Sequence, residues 1–153
     1  MRTFDLNWQG WFYSSQLPND AGVYCVWVAP VQKNPDGTLT VANRDAKLVY
    51  IGESDDIAAR VSNHEKVSCW ENERQTKNDS IVFTHVILRL TDVDESWRKS
   101  VENCLIATHK PPCNDEDLTY HYQLSVLTNN SGLTFGKLVS SHKCKGSNDP
   151  EDP

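Results

Sequence analysis

The sequence predicts a mixed α/β (α+β) domain, with a central antiparallel three-stranded sheet flanked by helices and extended by a C-terminal hairpin. Three observations predict it. The runs GVYCVWVA (22–29), KLVYIG (47–52) and IVFTHVILRL (81–90) are rich in β-branched and aromatic residues, as buried strands are. Stretches with helical spacing of apolar residues follow the second and third runs. A chain of 153 residues has room for one ordinary core and not for two.

Taken in order, residues up to about Asp20 carry Phe4, Leu6, Trp8, Trp11 and Phe12 and read as an irregular arm over the core, ending in LPND. The first strand follows. Residues 30–46 hold two prolines and the Asp36-Gly37 turn signal, so they form a long loop or a protruding hairpin before the second strand. Antiparallel pairing of the two strands is the simple expectation. Ser54, Asp55 and Asp56 cap a helix through IAARVSNHEKV, in which Ile57, Arg60, Val61 and His64 share one side. Residues 68–80, polar except for Trp70, read as a loop or frayed helix before the third strand.

In DESWRKSVENCLIATH (94–109), Trp97, Val101, Cys104, Leu105 and Thr108 form a helical face with Glu102 at its border, and Pro111 and Pro112 end the helix. YHYQLSV and LTFGKLV flank NNSG as a late hairpin. One domain is therefore expected over 1–140, with its core in 22–114 and a disordered tail over 141–153.

The net charge of −6 speaks against a nucleic-acid partner, because Lys and Arg supply most non-specific affinity for phosphates. Its distribution matters more than its total, and several acids fall in the tail. No apolar run approaches the length of a membrane span, and the first residues lack the pattern of a signal peptide. These two features predict a cytoplasmic protein, and five cysteines, an odd number in mixed contexts, predict free thiols in a reducing compartment. Cys104, His109 and Cys113 are a weak candidate for zinc, with no CxxC pair beside them.

Two tripeptides stand out, Gly22-Val23-Tyr24 on the first strand and Tyr50-Ile51-Gly52 closing the second. Arg60 follows on the next helix with His64 one turn on, Glu102 lies on the later helix, and Asn114 comes after the proline turn in ENCLIATHKPPCN. In this joint spacing, over roughly 22–114, the chain resembles the GIY-YIG nuclease family. The resemblance implies a metal-dependent endonuclease that hydrolyses phosphodiester bonds, in DNA rather than RNA, leaving a 5′-phosphate and a 3′-hydroxyl. Tyr24, Tyr50, Arg60, His64 and Glu102 would be catalytic, and Asn114 and Gly52 would line the substrate.

The residue types suit that chemistry. Glu102 is a hard oxygen ligand for a single Mg²⁺ or Mn²⁺, and Arg60 is a permanent positive fork for a phosphoryl group. Tyr24 would take the proton of the attacking water, with His64 assisting, which requires its ordinary pKa of about 10 to be lowered. Tyr50 would bond to phosphate or water, and Asn114 would orient a neighbour or contact the backbone. Taken singly, the tyrosines read as strand aromatics, and Arg60, His64 and Glu102 as a solvated helix face or surface ion pair. His85 reads as structural.

The chain departs from the family at Glu53, which with Asp55 and Asp56 puts three acids beside the phosphate site. A competing expectation follows, a catalytically weak module of the same fold that binds nucleic acid or a protein partner. Substrate specificity would come from the 30–46 loop, the 65–80 segment, the late hairpin or a homodimer.

Overall fold

A computed structural model describes residues 2–89, 95–115, 118, 123–129, 138 and 141–144. Strand β1 (Arg2–Asn7) and β2 (Gln9–Phe12) precede the long strand β3 (Gly22–Lys33), whose residues 22–29 are all buried. Alternation along β3 divides the core. Val23, Cys25, Trp27 and Ala29 enter one apolar cluster, while Tyr24, Val26 and Val28 enter another on the opposite face.

Strands β4 (Leu39–Val41), β5 (Lys47–Ser54) and β6 (Asp79–Ile87) complete a five-stranded sheet around β3. β6 runs antiparallel along one edge of β3, pairing Gly22 with Ile87 and Pro30 with Asp79. The other edge is shared: β5 pairs antiparallel with residues 22–28 and β4 with residues 31–33. The sheet is thus the expected three antiparallel strands, widened by β4 and by β2 on the outer edge of β6. Of the alternatives for residues 30–46, the hairpin is found, and it turns at Gly37 with φ of +89°.

Helices α1 (Ile57–Ser62) and α2 (Val67–Asn72) lie on the Tyr24 face, where Ile57, Val61 and Trp70 join its cluster. Helix α3 (Glu95–His109) lies on the other face and buries Trp97, Val101, Cys104 and Leu105 as its spacing predicts. Asp56 caps α1 by accepting from the Ala59 N–H at 3.1 Å. No helix among the described residues is long and apolar enough to cross a membrane.

Several expectations need correction. The first residues are not an irregular arm. Phe4, Leu6 and Trp8 alternate inward, β1 pairs in parallel with β7 (Leu124–Asn129), and β2 pairs with β6. The late hairpin partner is also different. β7 pairs antiparallel with β8 (Ser141–Cys144), a segment expected in the disordered tail, whereas most of LTFGKLV and residues 145–153 lie outside the described residues.

The helix expected to run through His64 stops at Ser62. Ser62 Oγ donates to the Ala59 carbonyl at 2.8 Å and Asn63 turns out of helical geometry, so a polar pair with local bonding options ends the helix.

The free thiols are corrected most sharply. Cys69 is joined to Cys113 and Cys104 to Cys144, and Cys25 alone is free. The step from free thiols to a reducing compartment therefore falls away, and so does the zinc candidate of Cys104, His109 and Cys113, since both its cysteines are bonded elsewhere. The second bridge also explains β8: it ties that strand to α3 through a side chain buried in the core.

At Gly22 the backbone of β6 passes close to that of β3. A Cβ there would overlap the Val86 carbonyl oxygen and press on Ile57 Cδ1 at 3.1 Å. Backbone oxygen cannot swing away as a side chain can. Gly22→Ala is expected to destabilise the domain by about 1–3 kcal/mol in urea unfolding, and an unchanged midpoint would refute the close approach.

Candidate functional site

The side chains singled out in the sequence gather around Tyr24, which is fully buried. Its ring lies over Gly52, the residue paired with it on β5, and a Cβ at Gly52 would overlap the ring and its hydroxyl. Gly52 is therefore a cradle for Tyr24. The space that a side chain would take there is filled by the phenol.

His64 reaches Tyr24 from the turn between α1 and α2, with Nε2 at 3.0 Å from the phenol oxygen. The other ring nitrogen fixes the direction of that bond. The Lys66 backbone N–H donates to His64 Nδ1 at 3.1 Å, so a neutral ring carries its proton on Nε2 and donates to Tyr24. Glu65 Oε2 also faces Nδ1, but at 3.9 Å, too far to compete with the backbone donor. In this state His64 cannot accept the Tyr24 proton. With this tautomer His64 assists Tyr24 as a donor that stabilises the phenol oxygen.

Three aromatic groups complete the surroundings. The His64 ring lies 4.9 Å from Tyr50 and 4.6 Å from Trp70, and Tyr50 lies 5.7 Å from Trp70. Trp70, in the segment expected as a loop or frayed helix, lies on α2, is 1% exposed and forms the wall behind His64. Its signal was that one aromatic stands alone in a polar run.

Arg60 occupies the last turn of α1 and pairs with Glu65 at 2.7 Å. That guanidinium holds the Glu65 carboxyl down at about 2. Tyr24 is pushed in the opposite direction. Burial raises its phenol pKa first, the neighbouring Tyr50 adds to this, Arg60 pulls it down, and the charges of Glu102 and Glu65 push it up. Glu102, half-buried on α3, therefore lies within electrostatic reach of Tyr24. Tyr24, Tyr50, His64, Arg60 and Glu102 thus belong to one neighbourhood, though as it stands Tyr24 is a firmly protonated phenol.

Asn114 is placed differently. Its side-chain oxygen accepts from the Ile51 N–H and its amide donates to the Ile51 carbonyl, both at 2.9 Å. It clamps the strand between Tyr50 and Gly52 through the backbone of Ile51.

Glu53 is also accounted for. Its carboxylate meets Arg98 Nε at 3.3 Å, with side-chain exposures of 13% and 3%. Burial raises the Glu53 pKa and Arg98 offsets part of that rise. The acid feared as a repellent is a nearly buried counter-ion for α3. A cleft of about 340 Å³ opens beside this pair, lined by Glu53, Ser54, Asp55, Arg60, Glu95 and Arg98. It reaches the Tyr24 neighbourhood only through Arg60, so the cleft and the aromatic cluster are adjacent features.

For a metal ion, Glu102 offers one hard oxygen donor. The cluster of potential ligands among the described residues is instead Cys69, Glu73 and Cys113, whose sulfurs are bonded to each other. Compared with known proteins, the chain matches no family model, no curated protein and no solved structure.

The Arg60 and Glu65 pair gives a direct test. In an NMR titration the Glu65 carboxyl should titrate near 2, and Arg60→Ala should raise it towards the ordinary carboxylate range. Because the folded pKa is depressed, the pair's stabilisation is present above the unfolded value and is lost as pH falls through the folded one; exposure of Glu65 keeps it small. A titration unmoved by Arg60→Ala would contradict the pairing.

Proposed function

We propose that this chain is a metal-dependent endonuclease that hydrolyses phosphodiester bonds of DNA, as its resemblance to the GIY-YIG family implies. The observation that carries the reading is the buried contact of Tyr24 with His64, enclosed by Tyr50 and Gly52 within the field of Arg60 and Glu102. Maintaining a core does not call for four polar groups around one phenol.

The residues divide the work by their chemistry. Arg60 would neutralise the phosphoryl group, exchanging an exposed carboxylate partner for a phosphate oxygen. His64 would donate to Tyr24, which favours the phenolate over the phenol once a proton is drawn off. Asn114 and Gly52 would act as positioning residues that hold Tyr50 and Tyr24 in place.

A single hard cation fits the donor set, with Glu102 holding it and water and phosphate oxygens filling the remaining positions. Such an ion, Mg²⁺ or Mn²⁺, would supply charge neutralisation for the scissile phosphate and its leaving oxygen. Glu102 has a second effect of its own. Its charge raises the Tyr24 pKa, so neutralising that carboxylate by any means eases Tyr24 towards use as a base.

The full burial of Tyr24 favours a second reading, a catalytically weak module of the same architecture that binds nucleic acid or a protein partner. Cleavage separates the two. Incubated with a mixture of supercoiled plasmid and genomic DNA and with Mg²⁺ or Mn²⁺, the wild type should nick or linearise DNA. Glu102→Ala and Tyr24→Phe should each lose at least about 100-fold in rate. Equal cleavage by all three proteins would reject the catalytic assignment, and retention of DNA without cleavage would establish the binding module.

A further inference from the structure

Cys69, Glu73 and Cys113 stand apart from the Tyr24 neighbourhood in chemistry, though they share its face of the sheet. Their two sulfurs and a carboxylate oxygen all lie within 4.8 Å of one another. We propose that, when the Cys69 and Cys113 disulfide is reduced, these three residues bind a thiophilic divalent cation of the zinc type.

The ligands come from well-held positions. Cys69 lies on α2 and Glu73 is its C-terminal cap, four residues on, so both side chains face the same way. Cys113 belongs to the turn after α3, and its N–H donates to the Val49 carbonyl at 2.9 Å, a bond that does not depend on the disulfide. Zinc takes thiolate at about 2.3 Å and carboxylate at about 2.0–2.2 Å. Opening the bridge lets the sulfurs separate to the spacing that two ligands on one tetrahedral ion require.

Lys47 prepares the carboxylate. Its ammonium holds Glu73 Oε2 at 2.6 Å, which orients the group and leaves Oε1 for a metal. Its positive charge also lies beside a site where two thiolates form. Two thiolates, one carboxylate and a water make an ordinary four-coordinate zinc shell.

The redox step is balanced by a small dithiol. One of its thiolates attacks a disulfide sulfur, the mixed disulfide closes to the dithiol's own cyclic disulfide, and both cysteines leave as thiols. On binding the cation they release two protons to solvent. Cys69 is partly exposed and gives a reductant access, whereas Cys25 is fully buried in the cluster on the opposite face of the sheet and takes no part. Disulfide and metal would fasten the same two segments, α2 with Trp70 and the turn with Asn114, so the reduced, metal-free chain is the one in which that link is open.

Cobalt titration tests the site. The full-length protein is reduced with a dithiol, freed of reductant without air, and titrated with Co²⁺. One equivalent should bind with a thiolate-to-cobalt absorption band that Zn²⁺ displaces, and the oxidised protein should show none. Cys69→Ser should abolish the band, and the paired Cys104→Ser and Cys144→Ser substitutions should leave it intact. Glu73→Gln, which preserves every cysteine, should weaken binding about tenfold or more. No band in the reduced protein, a band that survives Cys69→Ser, or an affinity unchanged by Glu73→Gln would each overturn the three-ligand site.

Discussion

The rest of the structure depends on the two-sided burial of β3. All eight residues from Gly22 to Ala29 are buried, so the strand needs an apolar layer on each face and a hydrogen-bonded neighbour along each edge. β6 satisfies one edge, and β5 and β4 divide the other. α3 and the β1, β7, β8 sheet supply residues on one face, while α1 and α2 supply the other. Tyr24 is a member of this strand, which is why the candidate site is buried and aromatic. The side chain on which it centres is first of all a core residue.

What the sequence disclosed follows from the same constraint. β3, β5, β6 and α3 were legible because each buries a long periodic or continuous apolar run, and burial of that kind leaves a compositional trace. β1 was legible in principle through the alternation of Phe4, Leu6 and Trp8, but a parallel partner more than a hundred residues away, Arg2 against Leu124, leaves none. The break after Ser62 turned on local side-chain bonding, which competes with helix at energies too small for pattern to reveal. Disulfide pairing is a fact of three-dimensional proximity, and Cys69 and Cys113 lie 44 residues apart in sequence. Of the candidate site, Tyr24, Tyr50, Arg60, His64 and Glu102 were named by the family resemblance; the direction of the His64 bond could not be, since a backbone N–H two residues along sets it.

The acidic character of the chain also takes a different meaning once pairs are known. Glu53 is balanced by Arg98, Glu65 by Arg60, and Asp115 by Lys66 at 2.8 Å, while Asp56 caps a helix. Glu53, Glu65, Asp115 and Asp56 therefore do not add up to one repulsive field, because each has a short-range partner or a helix end to satisfy. The cations are engaged by the same pairings, which limits what they can offer a phosphate.

How easily those pairs open differs with burial, and the difference bears on the proposed nuclease reading. Glu65 is 64% exposed in its side chain and gives up Arg60 to a competing anion at little cost, since water resolvates the carboxylate. Glu53 cannot release Arg98 in the same way. Both are nearly buried, Arg98 Nη1 already lacks a hydrogen-bond partner, and parting them would strand a charge away from water. Of the two arginines that line the cleft, Arg60 is thus the one available to a substrate, while Arg98 fixes α3 against β5. The same α3 carries Glu102 one turn further on, so the buried pair holds the carboxylate that a metal would need in register with β5, the strand that carries Gly52 and Glu53.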